Sequence, residues 1–157
     1  MDIALIFLIL CTAGYAAVMA LLVAWRRGHR QPVRTGALTL VAVAASFFAA
    51  VGLARLDIFA MIAFIATATA VSTYGVLHHD LGRRRAVATA VVMMLVTTAA
   101  SLFISYLAPM ALVATASTYL LVRVWISTRQ ALMIMSAAFG GLIVLGGTFF
   151  YIGVSNM

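Results

Sequence analysis

The sequence contains no lysine and no glutamate, and its only acids are Asp2, Asp57 and Asp80. Charged residues make up 8% of the 157-residue chain, where ordinary soluble domains carry about a quarter. So little charge leaves no material for the polar exterior that a soluble fold of this length needs. Cysteine occurs once, at Cys11, which excludes an intrachain disulfide and any CxxC redox motif. A lone cysteine in such a chain reads as a small, buried apolar side chain. Catalytic signatures are missing too. There is no HExxH, no GxSxG and no pair of intramembrane aspartates of the prepilin-peptidase kind.

What fills the chain instead is hydrocarbon: 66% hydrophobic residues and a mean hydropathy of +1.20. Polar residues interrupt it at regular distances. They leave apolar runs from Ile3 to Trp25, Gly36 to Ala54, Ile58 to Leu77, Ala86 to Ala108, Met110 to Ile126 and Ala131 to Val154. Each is roughly 17–24 residues, the length at which a helix crosses a ~30 Å hydrocarbon layer. Backbone groups in lipid must be bonded within their own segment, and these runs are too long and continuous for barrel strands. The expected fold is an all-α integral membrane protein, a single polytopic bundle of six transmembrane helices over residues 1–157. The alternative is five helices plus a re-entrant or interfacial segment, because Arg123 shortens the clean apolar core of the fifth run.

Local chemistry places the boundaries. Residues 36–77 are about twice a spanning length, so Arg55-Leu56-Asp57 must turn the chain, with Asp57 as N-cap of the third helix. Pro109 suits the first turn of the fifth helix, where a missing N–H costs nothing. Ser127 and Gln130 have the spacing of a capping box that opens the sixth.

Arginine then orients the bundle. Arg26, Arg27, Arg30 and Arg34 follow the first run, Arg83, Arg84 and Arg85 the third, and Arg123 and Arg129 flank the connection after the fifth. Arg55 alone falls on the other side. The positive-inside rule therefore puts the three arginine-bearing connections in the cytoplasm and both termini outside. Trp25 and Trp125 sit beside them, as interfacial anchors do. The positives follow rather than precede the first apolar run, so that run is expected to be an anchor and not a cleaved signal. Absent lysine and abundant Ala, Val and Arg suggest a GC-rich bacterial genome, hence an inner membrane. Arg26, Arg27, Arg30, Arg34, Arg83, Arg84 and Arg85 are candidate contacts for anionic lipid headgroups. Nucleic acid is not an expected partner.

The segment Leu77-His78-His79-Asp80-Leu81-Gly82-Arg83-Arg84-Arg85 is the most polar in the chain. Adjacent histidines point different ways on a helix, and a zinc site wants three or four convergent ligands. Only His29 could readily join them. Solvated or headgroup-facing histidines are the expectation, with no metal or cofactor and no catalytic residue. No carboxylate, lysine or histidine falls at mid-depth, which argues against ion-coupled transport.

Small residues and hydroxyls are the remaining signal. Ser136-xxx-Gly140 and Ala137-xxx-Gly141, with Gly146 and Gly147, give the sixth helix a face on which another helix can approach closely. Thr69, Ser72, Thr73, Thr97, Thr98 and Ser101 are candidates for a polar path, although such hydroxyls commonly bond their own backbone. An offset of 77 aligns Pro32 with Pro109 and Tyr74 with Tyr151, too few identities to establish an inverted repeat. The expected function is a non-catalytic accessory or assembly subunit that packs against partner transmembrane helices as a homo- or hetero-oligomer. A small channel or uniporter for a neutral or weakly polar solute is the alternative. A lipid-processing enzyme at the cytoplasmic face is a distant third.

Overall fold

The computed structural model describes residues 3–104 and 106–155, apart from the side chains at 79, 150, 153 and 154. The readings made for Asp2, for His79 as a ligand and for the termini at Met1 and Met157 thus lie outside the described residues. Those residues form six helices and no strand: α1 (Ile3–Arg26), α2 (Pro32–Leu56), α3 (Ile58–Leu81), α4 (Arg83–Ile104), α5 (Leu107–Val122) and α6 (Thr128–Ser155). Five are long and apolar enough to cross a membrane, and α5 is the exception.

Helices overrun the apolar runs at most ends. The helical backbone continues while its own hydrogen bonds can, and arginine side chains reach outward from the last turns. So α2 begins at Pro32 rather than Gly36, α3 ends at Leu81 rather than Leu77, and α4 begins at Arg83 rather than Ala86. Only Gly82 then separates α3 from α4, with φ +74° and ψ 161°, a backbone state that side chains strain against. The polar segment is therefore two helix ends meeting at one glycine. On the opposite face of the bundle, Asp57 alone separates α2 from α3. Its carboxylate accepts from the Phe59 N–H at 2.9 Å, and its own N–H donates to Leu53 O at 2.8 Å, so the expected N-cap is present. At the last junction the Ser127 hydroxyl donates to Gln130 Oε1 at 2.9 Å and lies 3.4 Å from the Gln130 N–H, a variant of the expected capping box.

Pairs along the chain give the helix directions. Ile9 packs with Met110, Tyr15 bonds Thr118 at 2.8 Å, and Arg26 stacks over Trp125 at 5.6 Å, so α1 and α5 run parallel. Asp80 at the end of α3 pairs with Arg123 just beyond α5, so α3 runs the same way. The end points of α1, α3 and α5 therefore share one end of the bundle, and nine of the ten arginines lie there. The other, Arg55, lies at the far end.

Helix α5 is the hub. It touches α1, α3, α4 and α6, and of its residues only Leu107 is exposed. At 16 residues it is about 24 Å long, short of a hydrocarbon layer. A central helix meets neighbouring helices rather than lipid tails, so its length need not match the bilayer. Two apolar clusters hold it. Ile9, Phe47, Val51 and Met110 join α1, α2 and α5 toward the far end. Leu77, Ala86, Leu112, Tyr119, Met135 and Phe139 join α3, α4, α5 and α6 toward the arginine-rich end. Between α1 and α2 the approach is closest at Gly36, where a Cβ would sit 3.1 Å from Leu21 Cβ and 3.2 Å from Ala17 O. Close packing of this kind holds helices together in lipid, where no hydrophobic effect favours helix over tail. Cys11 departs from the expectation. It is exposed on α1, because the buried face of that helix is set by Ile9, Ala13, Ala16 and Ala17.

Candidate functional site

The most elaborate polar arrangement lies where α3 and α5 end together. Tyr119 is 1% exposed, and its hydroxyl donates to Asp80 Oδ2 at 2.6 Å. Arg123 Nε lies 3.2 Å from the same oxygen, close enough to pair but off the hydrogen-bonding direction. Its Nη1 donates to Ile126 O at 3.4 Å, which ties the α5–α6 turn into the set. The side chains of Asp80 and Arg123 are 22% and 31% exposed. Placement follows from helical spacing, since Tyr119 and Arg123 are four apart and share a face. In the sequence Asp80 stands out as an acid of the polar Leu77–Arg85 segment, and Arg123 as an interruption of the fifth run and a topology marker, with nothing to link the two. The usable signal was a tyrosine and an arginine at four-residue spacing, in a chain with three acids available to answer them.

Around this pair the other basic residues are open. Arg26, Arg27, Arg30, Arg34, Arg83, Arg84 and Arg85 are all exposed at the same end. Trp25 and Trp125 are both 70% exposed there, and the Arg26 guanidinium covers the Trp125 ring. His29, Arg30, Gln31 and Arg34 line a shallow depression, with Arg34 bonded to Gln31 Oε1 at 3.3 Å. His78 stacks on Tyr74, one turn back on the same helix, with ring centroids 5.3 Å apart. Among the described residues no three His, Cys, Asp or Glu side chains converge on a point where a metal could sit.

The hydroxyl candidates divide. Thr69, Thr73, Thr97 and Ser101 are buried, Thr98 is half-buried and Ser72 is exposed. Ser72 donates to Thr69 O at 3.1 Å and Ser101 to Thr97 O at 2.7 Å, each within its own helix. The Oγ1 atoms of Thr97 and Thr98 are buried with no hydrogen-bond partner among the described residues. Tyr106, between α4 and α5, is half-buried, and desolvation pushes its phenol above its ordinary pKa. It is a neutral hydroxyl at physiological pH.

The sixth helix has two faces. Ala131, Met135 and Phe139 are buried against the core. Ser136, Ala137, Gly140 and Gly141 are exposed on the other side. Among the described residues, a Cβ added at Gly140, Gly141 or Gly147 would meet nothing within 4 Å, whereas one at Gly146 would meet Ile104 Cδ1 at 3.4 Å. The heptad offset accounts for the difference: Gly147 lies two turns beyond open Gly140, and Gly146 two turns beyond buried Phe139. No protein-family model, curated protein or solved structure matches this chain.

Proposed function

We propose that the chain is a multi-pass protein of a bacterial inner membrane, a non-catalytic accessory or assembly subunit that binds partner helices through α6. The observation that carries this reading is the exposed small-residue face of Ser136, Gly140 and Gly141, continued by half-buried Gly147, where an added Cβ still meets no described atom within 4 Å. Glycine costs a helix about 1 kcal/mol relative to alanine, and close approach of a neighbour is what compensates in lipid. Among the described residues no helix takes that place. The partner is a second copy or another membrane subunit. The exposed arginines hold anionic headgroups, each contributing about 1 kcal/mol near a charged leaflet. Native mass spectrometry of the protein released from lipid discs tests both parts. A second polypeptide and retained anionic lipid are expected, and a single lipid-free chain would sink the proposal.

A channel for a neutral solute draws on the unpartnered hydroxyls of Thr97 and Thr98. Against it, Ser72 and Ser101 spend their hydroxyls on their own backbone.

By the positive-inside rule the arginine-rich end is cytoplasmic and both termini are outside. In a Cys11→Ala background, Leu56→Cys should label with an impermeant thiol reagent added to intact cells, and His29→Cys should label only after lysis. The reverse pattern overturns the orientation.

A further inference from the structure

A cavity of about 200 Å³ lies between α2, α3 and α5. Its walls come from helical spacing. Ala42, Ser46 and Ala50 present one small face of α2, and Phe64, Ala68 and Ser72 one face of α3, with Pro109 and Leu112 of α5 among the residues behind them. Ala42, Ser46 and Ser72 are exposed, so the mouth opens sideways between α2 and α3. Ala42 and Ser46 lie ten residues from the two ends of α2, or about 15 Å. The opening is thus at mid-depth, facing lipid.

The wall is mostly apolar, with Ser46, Thr69 and Ser72 near mid-depth and the Tyr106 phenol at the start of α5 as its polar side chains. Thr69 is 3% exposed and lines the cavity. Ser46 and Ser72 bond backbone carbonyls, but the Thr69 hydroxyl has no partner among the described residues. Leaving a hydroxyl dry and unpaired costs about 1–3 kcal/mol, so an occupant that accepts its hydrogen bond is favoured over an empty site. Water is held weakly at mid-depth, because the Ser46 and Ser72 hydroxyls there already donate to their own backbone and an ordered water wants about 2–4 polar partners. A phospholipid tail fits poorly as well, because its ester oxygens lie near the headgroup and not at the centre of a ~30 Å layer. What fits is an apolar molecule that brings its own acceptor to mid-depth. Size and wall point the same way: a dry cavity of about 150 Å³ accepts benzene, and the aromatic residues Phe47, Phe64 and Tyr106 line this one.

We propose that this slot binds a membrane-dissolved quinone-type molecule, a substituted ring whose carbonyl accepts from Thr69. The site is independent of the α6 face and of any partner bound there.

The full chain in detergent is titrated with decylubiquinone, with decylbenzene as a ring-and-tail probe that lacks a carbonyl, and with phosphatidylcholine. Adducts are counted by native mass spectrometry. One decylubiquinone per chain is expected. Ala68→Phe, which fills the slot, should weaken it at least tenfold. Thr69→Val keeps the shape but removes the donor, and should weaken decylubiquinone about fivefold while leaving decylbenzene unchanged. If Ala68→Phe does not fold, the Thr69→Val comparison decides alone. No quinone adduct, equal loss of both ring probes in Thr69→Val, or displacement by phosphatidylcholine at equal concentration would each overturn the assignment.

Discussion

Asp80→Ala should destabilise the isolated chain by about 2–3 kcal/mol, the largest loss expected from a single polar substitution. The carboxylate serves two partners at once. Removing it strands the hydroxyl of Tyr119, a residue that is 1% exposed, and leaves the Arg123 guanidinium without its counter-charge. A fully enclosed pair would cost about 3–5 kcal/mol to break. Asp80 and Arg123 retain some solvent contact, which lowers the figure. Tyr119→Phe should cost less, about 1–1.5 kcal/mol, because it deletes one hydrogen bond and leaves the ion pair. Replacing both charges, Asp80→Leu with Arg123→Leu, should cost less than the sum of the two single changes, since no charge is then left without its partner. Equilibrium unfolding in mixed detergent, followed by circular dichroism, reads every one of these variants. Additive losses would show that the two charges are not coupled. The consequence reaches beyond stability, because this contact fixes the ends of α3 and α5 and carries the turn into α6.

How much of this was legible in the sequence depends on what each signal measures. Hydropathy measures contact with hydrocarbon, and it placed six apolar segments where six helices stand. It misplaced their ends, as at Pro32, Leu81 and Arg83, because a helix is held by backbone hydrogen bonds that do not stop where the apolar side chains do. Asp57 and Ser127 could be read as caps because capping is local chemistry. The fifth helix looked weakest for a physical reason. A span is recognised by the lipid it must match, and α5 is surrounded by protein, so the measure of strength did not apply to it. Cys11 failed in the mirror image. Its apolar character is compatible with the core or with lipid, and only the packing of α1 against α2 and α5 separates the two. The pairing of Asp80 with Tyr119 spans 39 residues of chain and depends on α3 and α5 running parallel, which no local pattern encodes.

Gly140→Leu combined with Gly147→Leu should release the partner while leaving the isolated chain folded. At both positions a Cβ meets nothing within 4 Å among the described residues, so each added side chain starts into open space. They should even favour the helix slightly, since replacing glycine with a good helix former recovers up to about 1 kcal/mol per site. Against a neighbouring helix the same side chains push the backbones apart, and association should weaken at least tenfold, or about 1.4 kcal/mol. Gly146→Leu is the opposing control. Its Cβ meets Ile104 on α4, so the change acts on packing within the chain and should lower the chain's own stability. The readouts are the fraction of single chains in native mass spectra and the unfolding midpoint of the separated chain. Loss of the partner in the double variant, with an unchanged or raised midpoint, would place the seam on this face. Unfolding of the double variant would mean that Gly140 and Gly147 belong to the chain's own core. An intact complex would mean that the partner binds elsewhere, because two leucines on a helix surface leave no room for the backbone approach that a glycine seam requires.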